Sequence, residues 1–235
     1  MLLLHGFTAT PIEVRSLAER LRDRAYTVAG PLFPGHGTVP EDLNRVRWQD
    51  WVDAAEASYR QLAEQCDRVF VAGESMGGVV ALYLAAEHSE ALGVMVYAPA
   101  IELTLSRFRR FVLRVAAPFV PWRPKPGLDE EERWQGYPVD PLRGAGQLLR
   151  LQHETRHRLS RIHQPLMVVM ARLDTTVDPR AGEIILDGIR SETKELYWME
   201  QSRHVILLGP ELDRATDLTL RFMAQALEAH SGAEL

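Results

Sequence analysis

Cysteine is almost missing from this sequence: Cys66 is the single one among 235 residues. An internal disulfide is therefore excluded, and the chain reads as one suited to a reducing compartment, the cytoplasm. Cys66 falls where a helix gives way to a strand, and it reads as a packed thiol rather than a nucleophile. No apolar run approaches the roughly 20 residues that cross a membrane. Residues 1–4 are too short for a signal-peptide core, because His5 and Gly6 interrupt them. A basic excess is missing as well. Lys and Arg number 27 against 32 Asp and Glu, a net charge of −5, which lacks the electrostatic footprint of a nucleic-acid binder. Repeats and low-complexity tracts are absent. The remainder, 46% hydrophobic and 25% charged, is an ordinary globular composition able to bury a core. Its length fits one large domain or two small ones.

Short apolar runs alternate with longer helical patterns, the mark of an α/β fold with a mostly parallel sheet and helices on both faces. Strands are expected at 2–4, 26–29, 68–72, 92–97, 165–171 and 195–199, and helices at 11–24, 48–64, 76–88, 179–188 and 210–229. Thr10 followed by Pro11 is a helix start, pairing a capping hydroxyl with a residue whose fixed φ suits the first turn.

The stretch 101–163 breaks this alternation. It holds 12 of the 27 Lys and Arg, only 7 of the 32 Asp and Glu, and six of the 14 prolines. It reads as a cap inserted between two parts of one core, 1–100 and 164–235. Within it Phe108, Phe111, Val112, Val115 and Phe119 recur at helical spacing, with Arg107, Arg109, Arg110 and Arg114 opposite. With Trp122, this stripe is expected to offer an apolar wall to a substrate. The competing readings are a stripe packed inward and a transient contact with a lipid surface.

Gly73-Glu74-Ser75-Met76-Gly77 follows an expected strand and opens an expected helix. GxSxG in that setting is a nucleophile elbow, a turn so sharp that only small flanking residues avoid a clash. A serine hydroxyl is a weak nucleophile and needs a base, which in turn needs an orienting acid. Asp174 lies just past the strand 165–171 and His204 just past the strand 195–199, so both fall on loops at strand C-termini. Asp178 is the rival acid. An oxyanion hole needs two backbone N–H groups; one is expected from Met76, directly after the nucleophile, and the other from Phe7, where Gly6 permits close approach.

These residues resemble a family. Leu3-Leu4-His5-Gly6-Phe7-Thr8, the Pro34-Gly35-His36-Gly37 loop, the Gly-Glu-Ser-Met-Gly elbow, Leu173-Asp174 before Val177, and Ser202-Arg203-His204-Val205-Ile206 are similar, in order and spacing, to bacterial carboxylesterases and monoacylglycerol lipases. The resemblance implies an α/β-hydrolase fold and a triad of Ser75, Asp174 and His204. It also implies oxyanion amides at Phe7 and Met76, a small cap and no cofactor. The family usually carries residues ahead of the His-Gly strand, whereas this sequence starts within it.

One motif points elsewhere. His153-Glu154-Thr155-Arg156-His157 matches HExxH, the zinc-protease helix, and His163 stands where a third ligand would. Ser160 occupies the place of the glycine that turns such a chain. Without that turn the helix is expected to continue, leaving His163 about 240° around from His157. Leu148, Leu151, Thr155, Leu159 and Ile162 instead form one apolar stripe, so a solvated cap helix and no metal are expected. The reading is thus a serine ester hydrolase of short- to medium-chain esters, with a small-molecule substrate, no nucleic acid and no integral membrane segment. The alternatives are another hydrolase chemistry (thioester, amide or C–C cleavage) and a non-catalytic binding protein on the same fold.

Overall fold

A computed structural model describes residues 1–106, 108, 113, 115, 117, 119–125 and 135–233. In chain order its elements are β1 (Leu2–Leu4), α1 (Ile12–Arg22), α2 (Pro40–Leu43), α3 (Trp48–Ala63), β2 (Phe70–Glu74), α4 (Met76–Glu87) and β3 (Gly93–Tyr97). Then come β4 (Trp122–Pro124), β5 (Val139–Pro141), α5 (Leu142–Arg156), β6 (Leu166–Ala171), α6 (Ala181–Gly188), β7 (Lys194–Met199) and α7 (Leu212–Ala233). Among the described residues the main sheet runs β1-β2-β3-β6-β7, parallel throughout.

β2, β3 and β6 are buried at every position, which is why they read as unbroken apolar runs rather than as alternation. One face of the sheet packs Trp51, Ala55 and Tyr59 of α3 with α4 and Ile185 of α6. The other packs Val14, Leu17 and Leu21 of α1 with Leu218 and Phe222 of α7. α4 has no polar side, because it lies between the sheet, α3 and α5. Cys66 is partly buried against the first of these clusters.

Two expected elements differ. Residues 26–29 do not form a strand; Ala29 alone bridges to Leu2, because β1 offers an edge only three residues long. The helix over the HExxH motif does not run on to His163. It ends at Arg156, and the 3-10 turn Leu159–Arg161 follows, lowering Leu159 and Ile162 into the core. The stripe itself is as expected, since Leu148, Leu151, Thr155, Leu159 and Ile162 are all buried.

The segment between β3 and β6 is tied to the core at several points. β4 and β5 pair as a short antiparallel ribbon, and isolated bridges join Gly136 to Ala9 and Leu103 to Val177. α5 packs on α3 and α4. Among the described residues no helix is long and apolar enough to cross a membrane.

Candidate active site

The centre of the sheet sets the position of Ser75. Gly73 in β2 pairs with Leu4 on one side and Val96 on the other, so β2 delivers the next residues to the middle of the sheet's C-terminal edge. The turn there holds Ser75 at φ 55° and ψ −116°, a conformation L-residues avoid unless the surroundings enforce it. Its neighbours enforce it. A Cβ on Gly73 would lie 2.3 Å from the Gly77 carbonyl, and one on Gly77 would lie 2.1 Å from the Leu4 carbonyl oxygen. The Ser75 amide donates to the Tyr97 carbonyl at 2.9 Å, and its carbonyl accepts from Ala100 at 3.0 Å.

The structure brings Ser75, His204 and Asp174 into one hydrogen-bonded chain. The Ser75 hydroxyl and His204 Nε2 are 2.8 Å apart, and His204 Nδ1 and Asp174 Oδ2 are 2.8 Å apart. The other Asp174 oxygen accepts the amides of Thr176 and Val177 at 2.7 and 3.1 Å. Asp178 is directed elsewhere: its carboxylate accepts the Arg180 amide and pairs with the Arg180 guanidinium at 2.9–3.0 Å. Burial works to lower the His204 pKa, but the charge and hydrogen bond of Asp174 outweigh it and hold the imidazole above its ordinary value. Glu13 adds to the rise and Lys125 opposes it. Burial works to raise Asp174, yet His204 and the two amides keep its carboxyl below the usual range.

Of the residues expected to give the oxyanion donors, Met76 directly follows Ser75 and Phe7 lines the same cleft as Ser75. Met76 is the first residue of α4, so its N–H is one of those a helix leaves without an internal acceptor. Gly6 lies against the elbow, since a Cβ there would be 3.2 Å from the Ser75 Cβ. The Gly6 carbonyl accepts from His5 Nδ1–H at 2.9 Å and from the Ala9 amide at 3.3 Å. A trans peptide is planar, so pinning the Gly6 carbonyl one way aims the Phe7 N–H the other way. His5 is itself fixed as the neutral Nδ1–H form, because its Nε2 accepts the Phe33 amide at 3.1 Å. Burial, with the nearby His36, holds His5 down to about 3, and burial holds His36 down to about 4.

Several residues that sequence reasoning missed support this loop. The Glu13 carboxylate accepts the Gly6 amide. Thr8, at φ 64°, gives its carbonyl to the Tyr137 amide at 2.9 Å, and its hydroxyl accepts from Lys125 Nζ at 2.9 Å. Glu13 had a weak signal, an acid in the first turn of α1 just after the His-Gly pair. Tyr137 and Lys125 had none, because nothing local says that 125 and 137 fold back on residue 8.

Above Ser75 lies a cleft of about 630 Å³. Its apolar wall comes from Leu142, Ala145, Leu148 and Leu149 of α5, with Leu103, Leu105 and Leu113. Its polar rim includes Glu13, Arg123, Lys125 and Arg203. This differs from the expected wall. Phe108 and Phe119 are 73% and 84% exposed, Val115 and Trp122 are exposed too, and none of the four lines the cleft. Phe111 and Val112 lie outside the described residues. The physical reason is that α5, already anchored on α4 by its buried stripe, turns its adjacent leucines over the nucleophile.

The HExxH histidines sit on the outside of α5. His153 and His157 are exposed, their Nε2 atoms 3.2 Å apart, and Glu154 pairs with Arg158 at 2.8 Å. Among the described residues no three His, Cys, Asp or Glu gather as a metal ion would need.

The family model described as serine aminopeptidase, S33, matches residues 1–211. The thermostable monoacylglycerol lipase of Bacillus sp. (strain H-257) is 34% identical over 233 residues, covering 96% of this chain and 90% of the relative. A carboxylesterase of Bacillus subtilis (strain 168) is 31% identical over 214 residues, covering 91% and 87%. Among solved structures, one described under two metagenome-derived lipolytic enzymes superposes with a TM-score of 0.90 at 32% identity, covering 95% and 92% of the two chains. A soluble variant of monoglyceride lipase from Saccharomyces cerevisiae shares the fold, with a TM-score of 0.78 at 20% identity and coverage of 97% and 86%.

Proposed function

The chain belongs to the serine aminopeptidase S33 family of α/β hydrolases and is a serine ester hydrolase; from that premise we propose that Ser75, His204 and Asp174 cleave short- to medium-chain esters, monoacylglycerols among them, through an acyl-enzyme. The observation that carries this reading is the hydrogen-bonded run from Asp174 through His204 to Ser75 at the floor of a leucine-walled cleft.

The steps follow from the groups in place. The Ser75 hydroxyl passes its proton to His204 Nε2 as the oxygen attacks the ester carbonyl. Asp174 keeps the imidazole in the Nδ1–H form and stabilises the imidazolium. The negative charge that develops on the carbonyl oxygen falls to the Phe7 and Met76 amides, and removing one such donor typically costs about 10²–10³ in rate. His204 then returns the proton to the leaving alcohol, and water repeats the sequence on the acyl-Ser75 ester. The side chains assigned to these steps need no cofactor.

Residues 101–163 act as the cap in this reading. Its α5 leucines accept the acyl chain, each buried methylene contributing about 0.8 kcal/mol. The exposed Phe108 and Phe119 support a transient contact with the surface of a lipid aggregate. The lone cysteine fits a cytoplasmic setting. A chain-length series of p-nitrophenyl esters beside monoacylglycerols, with aminoacyl p-nitroanilides as the amide arm, tests the assignment. Turnover should climb from acetate toward medium acyl chains and be negligible on the anilides; preferential anilide cleavage would replace the esterase reading with a peptidase one.

A further inference from the structure

The charged residue inside the elbow, Glu74, takes no part in the chemistry above. It ends β2, it is fully buried, and a buried carboxylate is costly unless donors surround it. Its Oε1 accepts the Ile206 amide at 2.5 Å and the Leu207 amide at 3.1 Å. These amides open the 3-10 turn Ile206–Leu208, so the residue before the nucleophile is bonded to the second and third residues after the histidine. The same loop is held from its other end by Glu211 in the run-up to α7, which accepts the amides of Glu200 and Gln201 at 3.1 and 2.8 Å and the Ser202 hydroxyl at 2.8 Å. Only Arg203, His204 and Val205 lie between the two anchors. Two amides on one carboxylate oxygen fix both the distance and the direction of the loop relative to the elbow, which suits a clamp that must hold it closely.

We propose that Glu74 is a positioning residue that sets the separation of Ser75 Oγ and His204 Nε2 by fastening the histidine loop to the elbow. Glu211 joins that loop to the helical layer, whereas Glu74 joins it to the strand that carries the nucleophile. The proposal rests on the reading of Ser75 and His204 as nucleophile and base. It acts by reach and not by charge: an oxygen at the end of a two-methylene side chain meets both amides, and a shorter acid does not.

Three variants, Glu74→Gln, Glu74→Asp and Glu74→Leu, compared with Ser75→Ala on p-nitrophenyl butyrate, decide it, each with folding checked by circular dichroism. Glu74→Leu should lose about 100-fold in kcat, the order of loss that a 1 Å misplacement of a catalytic group causes, with KM within about twofold. Glu74→Gln keeps the reach and an acceptor oxygen, so it should hold kcat within about tenfold, while Glu74→Asp keeps the charge and should fall well below Gln. If Glu74→Leu does not fold, the ranking of Gln over Asp in kcat still decides. Folded Glu74→Leu with the parent's kcat, or Asp outperforming Gln, would overturn the proposal while an inactive Ser75→Ala leaves the serine mechanism standing. Full activity in Ser75→Ala would remove the reading beneath it and the proposal together.

Discussion

At the scale of single residues, the proposed mechanism rests on two hydrogen bonds, between Asp174 and His204 and between His204 and Ser75, so substitutions should rank sharply. Asp174→Asn should cost up to about 10⁴ in kcat, because the imidazole tautomer is no longer fixed, whereas Asp178→Asn should leave kcat near the parent, since Asp178 serves Arg180. Steady-state kinetics of the two variants checks this, and the reverse ranking would show that the wrong carboxylate was assigned. The same pair fixes the pH dependence. His204 must be neutral to accept the Ser75 proton, and Asp174 holds its pKa above the ordinary value of about 6.5. A profile of kcat/KM from pH 5 to 9 should therefore rise through a midpoint above that value. Asp174→Asn removes the raising charge, so its residual activity should rise through a lower midpoint; a flat parental profile with chemistry rate-limiting would argue against His204. That Ser75, Asp174 and His204 come together was legible in the sequence, because their proposed roles call for those residue types at strand ends. Glu74, Glu13 and Lys125 were not, because what they do depends on contacts between distant segments.

At the scale of elements, the fold was legible wherever the apolar pattern was long and clear, as an amphipathic period in α3 and as unbroken apolar runs in α4 and the β2, β3 and β6 strands. It failed where local pattern and tertiary context diverge. Residues 26–29 have the composition of a strand but no full-length neighbour. The phenylalanines of 108–119 have the spacing of a core face, yet Phe108 and Phe119 are largely exposed. The wall over the nucleophile belongs instead to α5, whose Ala145 and Leu149 line the cleft together with Leu148 of its buried stripe. Leu149→Ala should consequently move the preferred p-nitrophenyl ester to a longer acyl chain, and Phe119→Ala should leave the optimum in place. A shift caused by Phe119→Ala and not by Leu149→Ala would return the acyl site to the outer stripe. The β4–β5 ribbon has a second consequence. Lys125 and Tyr137 hold Thr8, next to the Phe7 amide, so Lys125→Met should lower kcat more than it raises KM on short esters, where no acyl contact with the wall compensates. An effect confined to KM would mean that Lys125 only touches substrate.

At the scale of the whole molecule, histidines pull stability in opposite directions with pH. His5 and His36 are buried and neutral, held down to about 3 and about 4, while an unfolded chain protonates its histidines near 6.5. The unfolded state therefore takes up protons first as the pH falls below about 6.5, and stability declines down to about 4 and below. His88 does the reverse. Burial works against its charged form, but hydrogen bonds to Glu56 and Glu90, at 2.5 and 2.7 Å, outweigh it and raise its pKa. Its contribution is fully present below about 6.5 and is lost as pH rises through the raised value. Urea unfolding across pH 4–9 should give a maximum near neutrality; His36→Phe should lessen the acid decline and His88→Gln the alkaline one, and unchanged slopes in both variants would contradict these assignments. The central claim, that Ser75 is the nucleophile of an ester hydrolase, is tested most directly by reaction with a p-nitrophenyl alkylphosphonate followed by peptide mass spectrometry. The account predicts release of about one equivalent of p-nitrophenol per folded chain, loss of activity in parallel, and the phosphonyl mass on the peptide that holds Ser75. Inactivation with the label on another residue, or an unlabelled Ser75→Ala protein that still hydrolyses esters at the parent's rate, would contradict it.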